Sequence, residues 1–223
     1  MAGSFLRRRH TNGFDNRRDA GEALAAALSG YAGAADVLVI GLARGGVPVA
    51  AVVAAELGAA LDVTVVRKLG APGHEELALG AITRHRMVLN DRVVANLGVG
   101  QEDLDAIVYR EHHELDRRET AYRQGRPPAA VTGRTVLLVD DGVATGATMR
   151  VAALATREAG AAKVVVAVPT GPPSISQDFR DVADDVVCVH MPRPFVAVGL
   201  SYRNFDQVDD DEVTAALADG NRD

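Results

Sequence analysis

Short, continuous apolar runs alternate along the chain with amphipathic or Ala-rich stretches. The run at residues 37–40 is typical of a strand covered on both faces. The stretch from Pro48 to about Leu57 predicts a helix that ends at Gly58, and residues 62–67 predict a second strand. Because strand, helix and strand follow one another directly, the pattern predicts a βαβ unit and a parallel sheet.

The same pattern predicts further helices and strands. The helices cover residues 19–28 (with Asp15 or Asn16 as a candidate cap), 101–123 and about 147–159, and the strands cover 135–139, 163–168 and 185–189. The prediction is therefore an α/β fold, a doubly wound and mostly parallel sheet, in a single domain with its core at about 15–190.

Two regions depart from this regularity. Gly and Pro residues between positions 68 and 76 predict a loop, and residues 78–83 and 86–89 are predicted to pair as a hairpin. Residues 191–208 are rich in Pro and aromatic side chains at their start and predict a small separate lobe at the C-terminal end of the core.

Composition narrows the function classes. The net charge of -6 does not favour nucleic acid as a partner. The only cysteine, Cys188, excludes an intramolecular disulfide and lies in an apolar run, where a buried strand residue is expected rather than a nucleophile. No signal peptide or membrane span is recognisable, so a cytoplasmic location is expected. Charges concentrate near both ends, where solvated tails are expected: Arg7, Arg8, Arg9, Arg17 and Arg18, and Asp206, Asp209, Asp210, Asp211 and Glu212.

Two adjacent acids follow the apolar run at 136–139. Asp140 and Asp141 stand at the carboxyl end of a buried strand, which is the sheet edge where ligands bind in open α/β folds. Adjacent carboxylates repel each other and need a partner. Vicinal ribose hydroxyls would satisfy them through charge-assisted hydrogen bonds, and a divalent cation is the other natural partner.

The residues after the acids predict a phosphate-binding turn. Gly142 to Thr148 leads into a helix whose first amides lack internal partners and carry positive partial charge. Thr145 and Thr148 add hydroxyl donors, and Gly146 lets the backbone close around an anion. Acids followed by a phosphate cradle match the groups of a ribose 5-phosphate in order. The spacing fits neither a P-loop nor a dinucleotide-binding fingerprint.

Cationic groups are predicted near the same edge. Arg44, Gly45 and Gly46 follow the first strand, and bare amides beside a guanidinium suit pyrophosphate. Arg67 and Lys68 end the second predicted strand and would add positive charge for a leaving group.

The string from Val136 to Thr148 resembles the signature of type I phosphoribosyltransferases, which use 5-phosphoribosyl 1-pyrophosphate and magnesium. The similarity in element order extends over roughly residues 15–205. It implies that Asp140 and Asp141 hold the ribose hydroxyls, and hold Mg²⁺ directly or through those hydroxyls or water. It also implies that residues 144–148 hold the 5-phosphate. Gly142 departs from the family, which usually has an aliphatic residue there, and is expected to loosen the loop.

The resemblance further implies a mobile catalytic loop at about 68–80. It also implies that the C-terminal lobe at about 191–208 corresponds to the hood, the segment that holds the acceptor base in this family. Phe195, Tyr202 and Phe205 would stack on that base or form a small satellite core. The predicted catalytic residues are Arg44, Lys68, Asp140 and Asp141. The predicted substrate-binding residues are Ala43, Gly45, Gly46, Arg67, Val143, Ala144, Thr145, Gly146, Ala147, Thr148, Phe195 and Tyr202.

The predicted function is therefore a magnesium-dependent phosphoribosyltransferase with an unidentified small-molecule acceptor, and a homodimer is the oligomeric state considered. Ala144 stands where enzymes of this family that act on 6-oxopurines place an acid, which argues against that class of acceptor. The alternative is a regulator or sensor that binds phosphoribosyl pyrophosphate without turning it over. A phosphate-ester hydrolase is disfavoured because no convincing nucleophile is present.

Overall fold

The computed structural model describes residues 13–84 and 86–220, whose strands form two sheets. The larger sheet is parallel, in the order β2-β1-β6-β7-β8, and the smaller one is antiparallel, in the order β3-β4-β5. The strands are β1 (Val37–Leu42), β2 (Ala60–Thr64), β3 (Arg67–Ala71), β4 (His74–Ile82), β5 (Met87–Leu89), β6 (Thr135–Val139), β7 (Lys163–Thr170) and β8 (Asp185–His190).

Helices cover both faces of the parallel sheet, which confirms the predicted doubly wound α/β fold. They are α1 (Arg17–Ala27), α2 (Gly46–Leu57), α3 (Asp91–Leu97), α4 (Gln101–Arg123), α5 (Ala147–Glu158), α6 (Ile175–Asp178) and α7 (Asp210–Asp219). One face packs on α1, α2, α4 and α7, and the other on α5 and α6. All six residues of β1 are buried, as its continuous apolar sequence predicts.

The strand order changes direction between β1 and β6. From β1 the chain adds β2 on one side, and from β6 it adds β7 and β8 on the other. Gly41 pairs with Val139, so both central strands end at nearly the same level. The loops after these two strands therefore meet at the switch point of the sheet, where open α/β folds bind ligands.

Several element boundaries follow the sequence closely. Residues 101–123 form α4 and residues 135–139 form β6, as predicted. The side chain of Asn16 caps α1 by accepting hydrogen bonds from the amides of Arg18 and Asp19. The predicted hairpin at 78–83 and 86–89 is present as the pairing of β4 with β5.

The prediction of a loop over residues 68–76 is wrong. Those residues belong to β3 and β4, and the turn is confined to Pro72 and Gly73, with Gly73 in the left-handed region at φ 70°. Leu69 and Ala71 are buried, which stabilises this hairpin as a sheet of its own. The mobility expected of residues 68–80 stays a prediction.

The prediction of a solvated acidic tail at the C-terminal end is also wrong. Asp209 accepts a hydrogen bond from the amide of Glu212, and the side chain of Glu212 accepts one from the amide of Asp209. This reciprocal capping box starts α7, which buries Val213 and Leu217 against the core. The acids are therefore the start of a packed helix. Arg7, Arg8 and Arg9 lie outside the described residues.

Cys188 lies in β8, as predicted, and is half-buried. Burial raises the pKa of its thiol to about 11. Within residues 13–84 and 86–220, no helix has both the length and the apolar character needed to cross a membrane.

A buried ion cluster joins α4 to the edge of the parallel sheet. Arg123 donates to Asp62 Oδ1 over 3.0 Å, to Glu119 Oε2 over 2.8 Å and to the Val63 carbonyl over 2.6 Å. All three charged side chains are buried. Because both buried carboxylates pair with the same guanidinium, the cluster fixes where α4 crosses β2. Glu119 also forms an ion pair with Nε of Arg84 at 3.2 Å.

Replacing Arg123 with Met should destabilise the protein by about 3–5 kcal/mol, because two buried carboxylates lose their shared counter-charge. Urea unfolding followed by circular dichroism measures this. The matched control is Arg117→Met on the same helix, whose guanidinium is exposed and pairs with Glu114 at the surface. The control should change the free energy of unfolding little, and equal effects of the two substitutions would contradict the assignment.

Candidate functional site

The acid pair after β6 packs directly on the Arg-Gly-Gly loop after β1. A Cβ atom at Gly45 would lie 2.1 Å from Oδ2 of Asp141, and one at Gly46 would lie 2.6 Å from the Val139 carbonyl oxygen and 2.8 Å from Cα of Asp140. No side chain fits at either glycine, so the two loops touch only because these residues lack one. The structure thus brings together the two motifs that lie about a hundred positions apart in sequence.

Arg17 is a member of this site that the sequence did not reveal. Its Nε atom donates to Oδ2 of Asp141 over 2.9 Å, and its Nη2 atom forms an ion pair with the same oxygen at 2.8 Å; both side chains are only 14% exposed. The prediction that placed Arg17 in a solvated basic tail is wrong. Nothing in the local sequence indicates the pairing, because the partner lies 124 positions away.

Arg17 also contacts the C-terminal lobe. Its Nη1 atom donates to the carbonyl oxygen of Asp206 over 2.6 Å, and its guanidinium carbon lies 4.1 Å from the centre of the Phe205 ring. One side chain on the first turn of α1 therefore joins the acid pair to the lobe.

The electrostatics of the acid pair are unfavourable in the absence of a ligand. Burial, followed by the charge of Asp141, raises the pKa of Asp140 well above the ordinary carboxyl value, although the Asp141 amide donates to it over 2.9 Å. Burial also raises the pKa of Asp141, and the charge and hydrogen bonds of Arg17 oppose that rise. Two such carboxylates are set to gain from hydroxyl donors or a cation.

The turn after the acids leads into an open helix start. Gly146 is in the left-handed region at φ 76°, and a Cβ atom there would lie 2.8 Å from the Phe179 ring. No side chain caps the first amides of α5. Ala144, Thr145, Ala147 and Thr148 are exposed around this start, which is the arrangement expected of an anion cradle.

Val143 differs from its neighbours in this turn. Its side chain is buried in the core on the α5 side, and its amide donates to the Thr170 carbonyl over 3.0 Å. The residue thus anchors the turn, and its side chain and amide are not directed to a ligand.

Arg44 lies beside the start of α7. Its Nη1 atom is 3.8 Å from Oδ1 of Asp210, and the same carboxylate oxygen accepts a hydrogen bond from the Tyr122 hydroxyl over 2.6 Å. Burial and this bond raise the pKa of Tyr122 to about 12. The amide of Ala43 donates to the Thr64 carbonyl over 3.0 Å, which ties the Arg-Gly-Gly loop to the end of β2. The Ala43–Arg44 peptide bond is cis.

Arg67 and Lys68 are not where the sequence placed them. The second parallel strand ends at Thr64, and both residues belong to β3 of the small sheet. Arg67 donates through Nε and Nη2 to Oε2 of Glu111 over 2.9 and 2.6 Å, so it fastens the hairpin to α4. Lys68 is exposed on β3. The prediction that they end the second parallel strand is therefore wrong, because the chain leaves that sheet at Thr64. Their place beside the acid pair stays a prediction.

The aromatic residues of the C-terminal lobe form a satellite core with the N-terminal segment. The Tyr202 ring lies 5.6 Å from that of Phe14 and 4.8 Å from that of Phe205. The Tyr202 hydroxyl donates to the main-chain carbonyl of Asp141 over 2.5 Å. The sequence left two alternatives for these rings, stacking on the acceptor base or packing in a small satellite core. Tyr202 packs in the satellite core. Phe205 is at the rim of the lobe, 36% exposed, and Phe195 is half-buried.

Gly142 accommodates this lobe and does not merely loosen the loop. A Cβ atom there would lie 2.5 Å from Cγ1 of Val198 and 2.8 Å from Cγ2 of Thr170. Thr170 also shares a 2.8 Å hydrogen bond with the buried Ser201 hydroxyl. The absent side chain therefore leaves the space in which residues 198–201 sit against the acid-bearing loop.

No three His, Cys, Asp or Glu side chains cluster as a self-sufficient metal site in the part of the chain that the structure describes. A cation at Asp140 and Asp141 would need ligand or water oxygens as well. A cavity of about 280 Å³ lies elsewhere, between α5, β2 and the β4–β5 turn, and its lining includes none of the predicted site residues.

Gly142→Ala should destabilise the protein by about 1–3 kcal/mol, because the new methyl group collides with Val198 and Thr170. Part of this cost should disappear in a Val198→Ala background, which removes one of the two colliding groups. Urea unfolding of the four proteins in this double-mutant cycle measures the coupling. Gly30→Ala is the control, since a Cβ atom at Gly30 meets nothing within 4 Å. Strict additivity at positions 142 and 198 would contradict the contact.

Asp140→Asn should raise the thermal stability of the ligand-free protein at neutral pH. Because the pKa of Asp140 is raised in the folded state, the folded protein holds this proton more tightly than the unfolded chain, and ionisation opposes folding as the pH rises. The gain should shrink as the pH falls toward the ordinary carboxyl pKa near 4 and vanish below it, where the aspartate is neutral in both states. Melting temperatures across that range test this, and an Asn variant that is less stable at neutral pH would refute it.

Comparisons with known proteins agree with this geometry. A family model described as "Phosphoribosyl transferase domain" matches residues 14–203. The Mycobacterium tuberculosis proteins Rv0571c and MT0597, each provisionally named a phosphoribosyl transferase, are each 50% identical over 211 residues, which is 94% of this chain and 47% of theirs. The chain thus spans about half the length of these curated relatives.

Among solved structures, TT1426 from Thermus thermophilus is 43% identical, with a TM-score of 0.78 over 93% of this chain and 98% of that one. The predicted resemblance to type I phosphoribosyltransferases is therefore confirmed, and it extends beyond the acid-bearing turn to nearly the whole described chain. Through its matched sequence, its fold and its relatives, the chain belongs to the phosphoribosyl transferase domain family.

Proposed function

We propose that the protein is a magnesium-dependent phosphoribosyltransferase that uses 5-phosphoribosyl 1-pyrophosphate and an acceptor other than a 6-oxopurine. One observation carries this proposal. Two carboxylates, an Arg-Gly-Gly loop whose glycines leave its backbone uncovered, and an uncapped helix start meet at the ends of β1 and β6. These groups complement the hydroxyls, the pyrophosphate and the 5-phosphate of that donor.

In this proposal the acid pair and the α5 turn hold the sugar phosphate. The ribose hydroxyls donate to Asp140 and Asp141, which relieves the unfavourable burial of those carboxylates. The 5-phosphate accepts hydrogen bonds from the exposed hydroxyls of Thr145 and Thr148 and from the first amides of α5. Binding would thereby fix the anomeric carbon next to the Arg-Gly-Gly loop.

The transfer step breaks the bond between the anomeric carbon and pyrophosphate and forms a bond to the acceptor. Negative charge grows on the pyrophosphate oxygens as the bond breaks. Arg44 and the amides of Gly45 and Gly46, in the loop that packs on the acid pair, would stabilise that charge. Lys68 is on the separate β3–β4 hairpin, so its participation requires the hairpin to close over the site.

The acid pair fits magnesium only in part. Carboxylate oxygens are ligands that Mg²⁺ prefers, but Oδ2 of Asp141 is already engaged by a hydrogen bond from Nε of Arg17 and an ion-pair contact with Nη2. Asp140 and the remaining oxygen of Asp141 would therefore supply at most a small share of the ligands, and the donor and water would supply the rest. When bound, the ion would neutralise charge on the donor's oxygens.

The acceptor class is constrained by Ala144. It is exposed at the turn and offers no carboxylate to contact a 6-oxopurine. The alternative of a regulator that binds phosphoribosyl pyrophosphate without turnover is favoured by one observation. Tyr202 packs between Phe14 and Phe205, so the predicted base-stacking ring is engaged within the protein. The homodimer and the cytoplasmic location stay predictions.

Pyrophosphate release distinguishes the two functions. With phosphoribosyl pyrophosphate and magnesium, a panel of nucleobases and small amines should include at least one that supports release, and hypoxanthine, guanine and xanthine should not. Asp141→Asn should slow release by roughly 10- to 100-fold, since a hydrogen bond to a charged group is lost. Gly30→Ala, far from any contact, should not.

Tight binding of phosphoribosyl pyrophosphate by calorimetry, with no release for any acceptor, would favour the regulator over the enzyme. Absence of binding would contradict both functions.

A further inference from the structure

We infer that Arg17 is a positioning residue for the ribose: it holds the carboxylate of Asp141 by one oxygen so that the other faces a ribose hydroxyl. This inference rests on the proposed function, because it assigns a role within the same donor site. It concerns a residue outside every motif from which the site was predicted.

The geometry around Asp141 leaves one oxygen for a ligand. Oδ2 accepts a hydrogen bond from Nε of Arg17 and lies 2.8 Å from Nη2 of the same guanidinium, so both of these nitrogens crowd one oxygen. The same oxygen lies against the backbone of Gly45, where a Cβ atom would be 2.1 Å away. With Oδ2 confined on two sides, the carboxylate cannot rotate freely, and Oδ1 is the oxygen left to accept from a hydroxyl.

Arg17 is itself fixed by contacts that do not involve the acid pair. It stands on the first helical turn, directly after the Asn16 cap. Its Nη1 atom donates to the Asp206 carbonyl over 2.6 Å, and its guanidinium lies 4.1 Å from the centre of the Phe205 ring. A side chain held in this way at 14% exposure is a fixed support and not a plug that leaves when the donor arrives.

The chemistry of the contact requires an arginine. One planar guanidinium brings Nε, the hydrogen-bond donor, and Nη2 against Oδ2, and its Nη1 donates in another direction to the Asp206 carbonyl. A lysine at the same position would keep the positive charge but could not form this fork. The orientation of Asp141, and not only its neutralisation, therefore depends on the residue type.

The test compares two ligands that differ only in the hydroxyls. Affinities for D-ribose 5-phosphate and for a 2,3-dideoxyribose 5-phosphate analogue are measured by calorimetry in wild type, Arg17→Met, Arg17→Lys and Asp141→Asn. The matched control is Arg18→Met on the same helix, whose guanidinium is exposed and pairs with Glu22. Inorganic phosphate serves as a probe of the α5 turn alone.

Wild type should prefer the ribose ligand by about tenfold or more, on the order of one charge-assisted hydrogen bond. Arg17→Met should reduce that preference by about tenfold and leave inorganic phosphate binding unchanged, and Arg17→Lys should fall between the two. Arg18→Met should keep the full preference. In an Asp141→Asn background, Arg17→Met should cause no further loss, since the carboxylate that it orients is gone.

An unchanged preference in Arg17→Met would overturn the inference, and so would an equal loss of affinity for both ligands. Tighter binding of ribose 5-phosphate by Arg17→Met would show that Arg17 competes with the donor, which also overturns it. If Arg17→Met does not fold, Arg17→Lys and Arg17→Gln provide the same comparison. Failure of wild type to bind ribose 5-phosphate would instead refute the proposed function.

Discussion

The contact between a pair of glycines and a pair of aspartates governs the rest of the structure. Gly45 and Gly46 allow the loop after β1 to lie directly on Asp140 and Asp141, at a distance that no Cβ atom tolerates. The parallel pairing of β1 with β6 brings both loops to one level, and the change of direction in strand order leaves the space above them open. A side chain at either glycine would separate the two loops.

Burying two adjacent carboxylates has an electrostatic cost, and the guanidinium of Arg17 offsets part of it at Asp141. Arg17 comes from the first helix and Tyr202 from the C-terminal lobe, and both bind Asp141, one at the side chain and one at the main-chain carbonyl. The acid-bearing loop, the first helix and the lobe are thereby joined at one residue. Under the proposed function, an arrangement of this kind would give up stability in the absence of ligand and gain affinity for hydroxyl groups.

Features with a local signal could be predicted from sequence, and those that depend on distant partners could not. Residues 135–139 and 101–123 carry continuous or periodic apolar patterns, and their elements match the prediction. The acid pair and the Arg-Gly-Gly loop meet as strand order requires. Arg17 was missed because its partner lies 124 positions away. Asp209 and Glu212 have the spacing of a capping box, which is a local signal for a helix start. The run of acidic residues around them was instead interpreted as a solvated tail.

The space at Gly142 has a consequence for how such proteins diversify. The loop that bears the acids and the lobe that follows β8 share one small volume, filled here by Val198 and bounded by Thr170. A family member with an aliphatic residue at the loop position cannot place a branched residue of the lobe in the same space. The two positions should therefore covary. The volume of one absent side chain in the acid-bearing loop thus limits which residues the lobe can carry where the two meet.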